Sequence, residues 1–136
     1  MQVRRLASAA GMWLFCVTSL SFAQHINAKD APCHTPATGA EETACFAEAY
    51  LQADLKLNRL YGRIERVLGE KDRAHLKNAQ RLWVQFRDAN CSAEYNLHEG
   101  GSAAPMVKAA CLEATTRHRI EELEVMYGWR LEKFEK

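Results

Sequence analysis

The histidines are the first side chains to consider, because imidazoles hold metal ions and transfer protons. The chain has five of them: His25, His34, His75, His98 and His118. No two stand four residues apart, the spacing that places two ligands on one helix face, and no paired-cysteine motif lies beside them. The histidine pattern therefore predicts no metal site, and no other motif implies a cofactor.

The acidic residues and the single glycine-flanked serine do not form a catalytic motif. Glu94 with Glu99, or Asp88 with Glu121, would make a pair of carboxylates, but no signature surrounds either pair. Ser102 follows two glycines, yet "GGS" lacks the strand-turn-helix context of a nucleophile elbow. We therefore predict no catalytic residue, no enzyme activity and no small-molecule substrate.

The cysteines indicate disulfides rather than nucleophiles. The chain has five cysteines, of which Cys16 falls in an N-terminal apolar run that is expected to be cleaved off with a signal peptide. The mature chain keeps Cys33, Cys45, Cys91 and Cys111. An even number of cysteines in a small exported domain predicts two disulfides, for which three pairings are possible.

The first 23 residues have the three-part form of a secretory signal peptide. Arg4 and Arg5 precede the run "GMWLFCVTSL", which is too short to span a bilayer stably, and small residues precede a cleavage site after Ala23. The residue before Cys16 is not the small one that a lipoprotein requires, so we expect no membrane anchor. The protein is predicted to be periplasmic or secreted.

Cleavage there leaves 136 − 23 = 113 residues and removes two arginines, so the net charge becomes 16 − 17 = −1. A near-neutral chain has no broad field to attract nucleic acid or an anionic membrane surface. We therefore expect one domain of roughly 100 residues that binds neither.

The apolar residues of the mature chain recur with the periodicity of helices. Residues 24–40 contain two prolines, a glycine and no apolar period, and are predicted to be an irregular leader before a helical domain at 41–136. The predicted helices run from Glu41 to about Leu68, from about Lys71 to about Leu97, and from Pro105 onward; Gly128 can kink or end the last one before the tail "WRLEKFEK". No alternating run predicts a strand. The expected fold is all-α, an up-down-up antiparallel three-helix bundle.

The second helix is predicted to face the core with one apolar stripe. Its inward residues are expected to be Leu76, Ala79, Trp83, Phe86, Ala93 and Leu97, with Leu82 on the flank.

The pairing of the cysteines follows from the expected hairpin of the second and third helices. Cys91 stands ten residues before Gly101 and Cys111 ten residues after it, so an antiparallel pair turning there brings them level. We therefore predict Cys91–Cys111, which leaves Cys33–Cys45 to hold the leader to the first helix.

The turn of that hairpin, His98-Glu99-Gly100-Gly101-Ser102, has three interpretations. It is a plain turn if both glycines take positive φ angles and Ser102 caps the third helix. It is a partner-binding loop if His98, Glu99 and Ser102 are displayed on a thin glycine backbone. It is an anion site if the N-terminus of the third helix receives a ligand.

Trp83, Arg87 and Asp88 form a second polar group, in the middle of the second helix. Trp83 and Arg87 stand four residues apart, so the guanidinium can stack over the indole. One interpretation is a recognition site for a carboxylate. The favoured one is a structural network in which Arg87 or Asp88 pairs with Arg117, Glu121 or Glu122.

Several of these residues fall into motifs that resemble a known family. The motifs are Cys45-Phe46, Ala53-Asp54-x-x-Leu57-Asn58-x-x-Tyr61, Trp83-x-x-Phe86-Arg87-Asp88-x-x-Cys91, Glu99-Gly100-Gly101-Ser102, Cys111-Leu112 and Thr116-x-x-Arg119-x-x-Glu122-Leu123. Together they resemble the lysozyme inhibitor LprI-like N-terminal domain over about residues 33–127. The resemblance implies an exported, disulfide-containing helical domain and lysozyme as its partner.

Two functional hypotheses follow. The first is an exported inhibitor that blocks the cleft of a lysozyme with residues 98–102. The second is an envelope interaction module with another partner, which would dock on the leader or on the tail "YGWRLEKFEK".

Overall fold

Three long helices make up most of the computed structural model, which describes residues 25–34 and 38–135. A short 3₁₀ turn at His25–Asn27 precedes α1 (Gly39–Val67), α2 (Glu70–Leu97) and α3 (Ala104–Phe134). The described residues contain no strand, and the predicted all-α class is confirmed. The expected signal peptide, residues 1–23, lies outside the described residues.

Two helix ends differ from the expected positions for local reasons. α1 begins at Gly39, because Thr38 and Glu41 form a capping box: the Glu41 amide donates to Thr38 Oγ1 at 3.3 Å, and the Thr38 amide donates to Glu41 Oε2 at 3.0 Å. α3 neither ends nor breaks at Gly128 but continues to Phe134. The tail is therefore part of α3.

Side-chain contacts give the direction of each helix. Along α1 and α3 the partners advance together, from Lys56–Glu124 at 3.8 Å to Arg63–Glu135 at 2.6 Å. Along α2 and α3 they run in opposite senses: Gln80 meets Arg119 at 3.2 Å, and Arg87 meets Thr116 at 3.5 Å. The order is up-down-up, as predicted.

α3 is the central helix, since it packs against both α1 and α2. The main core combines residues from all three helices, namely Leu57, Leu60, Ile64, Leu68, Leu76, Ile120, Leu123 and Leu131. A smaller apolar cluster lies at the leader, where Ala31 and Cys33 pack with Phe46 and Ala110. No helix in the described ranges 25–34 and 38–135 is long and apolar enough to cross a membrane.

The inward face of α2 is not the apolar stripe that the periodicity favoured. Leu76 is buried and Trp83 packs on the core, but Phe86 is 62% exposed, Leu97 is 81% exposed, and Ala79 and Ala93 also face solvent. The buried positions are instead Arg87 and Cys91. The expectation for four of the six residues was wrong, because the disulfide and the arginine fix the rotation of α2.

Both predicted disulfides are confirmed. Cys33 joins Cys45 with a Cα–Cα distance of 6.1 Å, and Cys91 joins Cys111 at 5.5 Å. The first bridge holds the leader against α1. Two disulfides are consistent with a protein that works outside the cytoplasm.

An ion-pair cluster holds the leader against α3. Arg117 Nη1 donates to Asp30 Oδ2 at 2.5 Å, and its Nε donates to the buried Glu113 at 2.9 Å. The hydrogen bond from Arg117 lowers the pKa of Asp30 below its ordinary value. The leader is therefore held by charge as well as by the Cys33 bridge.

Candidate functional site

The candidate site is the turn between α2 and α3, residues 98–103, which we call the tip. The His98 amide donates to the Tyr95 carbonyl at 3.0 Å, and the Gly101 amide donates to the His98 carbonyl at 3.0 Å. Glu99, Gly100, Gly101 and Ser102 are exposed, while His98 is half-buried. Local hydrogen bonds therefore shape the backbone, and the Glu99 and Ser102 side chains face outward.

The two glycines of the tip have different roles. Gly100 has φ of 82°, the left-handed region that side chains disfavour. Gly101 does not share it, so the expectation of two positive φ angles was wrong. A Cβ at Gly101 would instead lie 3.2 Å from the His98 carbonyl oxygen, a tight contact that requires a small shift of the turn.

Ser102 does not cap α3. The N-cap of α3 is Ala103, no side chain caps it, and Pro105 occupies the first turn. The predicted capping role was wrong, and the exposed Ser102 hydroxyl is not used to hold the helix end.

The tip is braced from behind. The Cys91–Cys111 bridge is fully buried and joins α2 to α3 below the turn. Nearer the tip, Lys108 Nζ lies 5.7 Å from the centre of the Tyr95 ring. These links fix the separation of the two helices, so the tip starts and ends on a rigid base.

The 3₁₀ turn of the leader also contacts this base. His25 Nε2 lies 3.3 Å from Glu94 Oε1 on α2. His25, Glu94 and Cys111 lie close enough together to suggest metal ligands, their candidate atoms being within 4.8 Å of one another. However, the Cys111 sulfur is in a disulfide and cannot act as a thiolate, so two donors remain, fewer than a protein metal site normally uses.

Arg87 is the centre of the second predicted group. Its side chain is buried between two aromatic rings, 5.1 Å from the centre of Trp83 and 5.5 Å from the centre of Tyr50. Its Nε donates to Asp88 Oδ1 at 2.9 Å. Burial raises the pKa of the Tyr50 hydroxyl. The two ring faces attract the guanidinium and partly replace the water that it loses on burial.

The partners of Arg87 on the other helices differ from those considered from the sequence. On α3 it contacts Thr116 at 3.5 Å instead of Arg117, Glu121 or Glu122, and on α1 it lies 3.6 Å from Asp54.

Sequence reasoning missed Asp54 and Tyr50 as members of this network. The signal for Asp54 was its place in the Ala53-Asp54 motif. The network joins residues of all three helices, whereas the tip lies at one end of the bundle.

Known proteins resemble this chain in sequence. Residues 33–123 match the family model described as lysozyme inhibitor LprI. An uncharacterized protein of Rhizobium meliloti (strain 1021) is 31% identical over 133 residues, which covers 88% of this chain and 94% of that protein. No solved structure matches the chain.

Proposed function

Because the chain belongs to the lysozyme inhibitor LprI family, we propose that it is an exported inhibitor that inserts the tip into the cleft of a lysozyme. Family membership is the observation that carries this proposal. Supporting it, the tip displays polar side chains on a glycine backbone at one end of the bundle, and the disulfides suit an exported protein.

The side chains of the tip complement the groups of a lysozyme cleft. Such glycosidases cleave with two carboxyl groups, of which one is protonated and the other ionised. The Glu99 carboxylate can accept a hydrogen bond from the protonated acid. The Ser102 hydroxyl and a His98 N–H can donate to the ionised partner. A tip carrying both an acceptor and donors can therefore satisfy both catalytic groups at once.

The Cys91–Cys111 bridge lowers the entropic cost of such binding. Ordering a free loop costs about 1–2 kcal/mol per residue in conformational entropy. The Cys91–Cys111 bridge and the hydrogen bonds of the turn order the tip before it meets a partner. Preorganisation of this kind raises affinity without adding a contact.

The proposal is tested by titrating the purified, oxidised protein into a lysozyme turbidity assay, with animal-type and goose-type enzymes. The parent protein is expected to inhibit at least one of them. A double variant, Glu99→Ala with Ser102→Ala, should lose most of this inhibition. Glu132→Ala is the matched control, because Glu132 is exposed on α3 toward the opposite end of the bundle.

The outcomes separate the function from the site. If the parent inhibits no lysozyme at tens of micromolar, the inhibitor function is wrong. If the parent and the double variant inhibit equally, the function stands but the tip is not the binding site. Equal losses in the double variant and in Glu132→Ala would also remove the tip from the proposal.

A second candidate function is an envelope interaction module that does not inhibit lysozyme. The favouring observation is an exposed apolar surface at the end of α3, where Val125, Met126 and Trp129 face solvent. A pull-down from envelope extract would then return a partner whose binding is lost on Trp129→Ala. Recovery of lysozyme alone would contradict this candidate.

A further inference from the structure

α2 carries an exposed apolar stripe along most of its length. We call it the α2 stripe and define it by six exposed residues: Ala79, Leu82, Phe86, Ala89, Ala93 and Leu97. Leu82 is 52% exposed, and Phe86 and Leu97 are more exposed still. The first five are spaced alternately by three and four residues, the spacing that places side chains on one seam of a helix pair. The stripe is thus built like a helix-packing surface but has no partner among residues 25–34 and 38–135.

The edges of the α2 stripe are mostly neutral. Asn78, Gln85 and Asn96 flank one side and Asn90 flanks the other. Of the charged residues of α2 between positions 78 and 97, Arg87 is buried, Glu94 meets His25, and Asp88 lies about 100° or more around the helix from every stripe residue. Arg81 donates to Asn78 Oδ1 at 2.8 Å, so its guanidinium lies at one edge of the stripe, where an antiparallel partner would place its position 94 and not its own Arg81. A second copy of the same surface could approach without bringing like charges together.

The α2 stripe is also complementary to itself in size. If two copies of α2 run antiparallel about a two-fold axis between positions 87 and 88, Phe86 of each copy faces Ala89 of the other. The same axis places Leu82 opposite Ala93 and Leu97 beside Ala79. Every large side chain then meets a small one, the arrangement that lets facing layers interdigitate. A parallel pair would instead set Phe86 against Phe86 and leave alanine against alanine.

From this neutral, self-complementary surface we propose that the α2 stripe joins two copies of the chain into an antiparallel, two-fold symmetric dimer. Such an interface is isologous, with the same residues on both sides. The dimer would direct the two tips to opposite ends, because the start of each stripe lies beside the end of the other. This inference does not depend on lysozyme binding.

The size of the stripe sets the expected strength. From Ala79 to Leu97 it extends about 27 Å at about 1.5 Å per residue, and one helix is about 10 Å wide. This footprint, roughly 270 Å² per copy, is well below the about 800 Å² per partner of a standard interface. The dimer should therefore be weak and reversible, with both monomer and dimer present between about 10 μM and about 1 mM.

Sedimentation velocity of the oxidised protein over that range tests the proposal. Ala89→Glu puts a carboxylate against Phe86 of the other copy and should weaken dimerisation at least about tenfold. Ala74→Glu is the matched control, an identical change at an exposed α2 position before the stripe, and it should dimerise like the parent. Circular dichroism should give the same helicity for all three proteins.

Mixing two variants tests the antiparallel register. Phe86→Lys and Ala89→Glu should each be monomeric alone. An equimolar mixture should associate, because the ammonium introduced at position 86 of one chain faces the carboxylate introduced at position 89 of the other. A parent that stays monomeric throughout, an equal effect of Ala74→Glu and Ala89→Glu, or a mixture that does not associate would overturn the proposal. A parent protein that stays monomeric would overturn the proposal even if a different molecule were found to cover the stripe.

Discussion

The two turns of the bundle are stabilised in opposite ways. The α1–α2 turn consists of Leu68 and Gly69, and Leu68 is buried in the core. The Arg73 guanidinium donates to the carbonyl oxygens of Glu65 and Leu68, at 3.2 and 3.0 Å. The burial of Leu68 and the hydrogen bonds from Arg73 at the start of α2 therefore hold this turn closed.

The tip, by contrast, is longer and exposed, and a disulfide behind it adds to its local hydrogen bonds. Six residues, 98–103, separate α2 from α3, and four of them are exposed. The Cys91–Cys111 bridge ties the helices below it. A turn stabilised from behind keeps its polar side chains free for a partner, whereas the α1–α2 turn uses its own groups for stability.

Removal of the Cys91–Cys111 bridge should have the largest effect on this contrast. Replacing both cysteines by alanine should lower the free energy of unfolding by about 3 kcal/mol, because a closed loop of this length restricts the unfolded chain. Urea denaturation measures the loss. We also expect weaker lysozyme inhibition from the folded variant, since the tip is no longer ordered before binding. Replacing Cys33 and Cys45 is the control. Unchanged inhibition in both variants would show that the Cys91–Cys111 bridge does not order the tip for binding.

The glycines of the two turns should respond in opposite directions. Gly100→Ala should cost about 1 kcal/mol, because alanine is strained at a φ of 82°. Gly69 has φ of −65° at the N-cap of α2, with open space around it, so Gly69→Ser should stabilise by a few tenths of a kcal/mol through a new cap. Thermal unfolding of the two variants checks the signs. Equal destabilisation of both would contradict the contrast.

The smallest expected effect is a pH dependence of the free energy of unfolding. It comes from Glu135, which lies at the same end of the bundle as the α1–α2 turn. The hydrogen bond from Arg63 lowers the pKa of Glu135, so the folded state holds this carboxylate ionised to lower pH than the unfolded chain does. Its contribution is complete above about pH 5 and is lost as the pH falls below about 4. Glu135→Gln should therefore reduce the loss of stability between about pH 5 and pH 3, as measured by urea unfolding. Glu132→Gln removes the same charge at a nearby exposed position and is the matched control.

Local sequence patterns were sufficient for much of the fold. Helical periodicity located the three helices to within a few residues at most ends, and the equal spacing of Cys91 and Cys111 from Gly101 gave the disulfide. The early start of α1 was also available in the sequence, because Thr38 and Glu41 have the spacing of a capping box. A pattern confined to one turn of helix depends on neighbours in the chain, so no tertiary information was needed.

The apolar periodicity of α2 gave a wrong prediction of which face of the helix is buried. An apolar stripe favours burial only if another helix is available to cover it. Phe86 stands five residues before Cys91, which places the two about 140° apart around the helix. Once Cys91 was expected to bond to α3, Phe86 could not also face α3. The two predictions made from the sequence were therefore incompatible, and the covalent bond took precedence.

The sequence by itself determined the helices, the cysteine pairing and the polar composition of the tip, because each depends on spacing along the chain. Only the tertiary structure decided which face of α2 is buried, since that depends on Arg87 lying between Trp83 and Tyr50 while Cys91 reaches Cys111. It also decided that Gly100, and not Gly101, takes a positive φ angle and that Ser102 is left free of capping. Those outcomes depend on distances between residues on different helices and on backbone angles, which no spacing along the chain specifies.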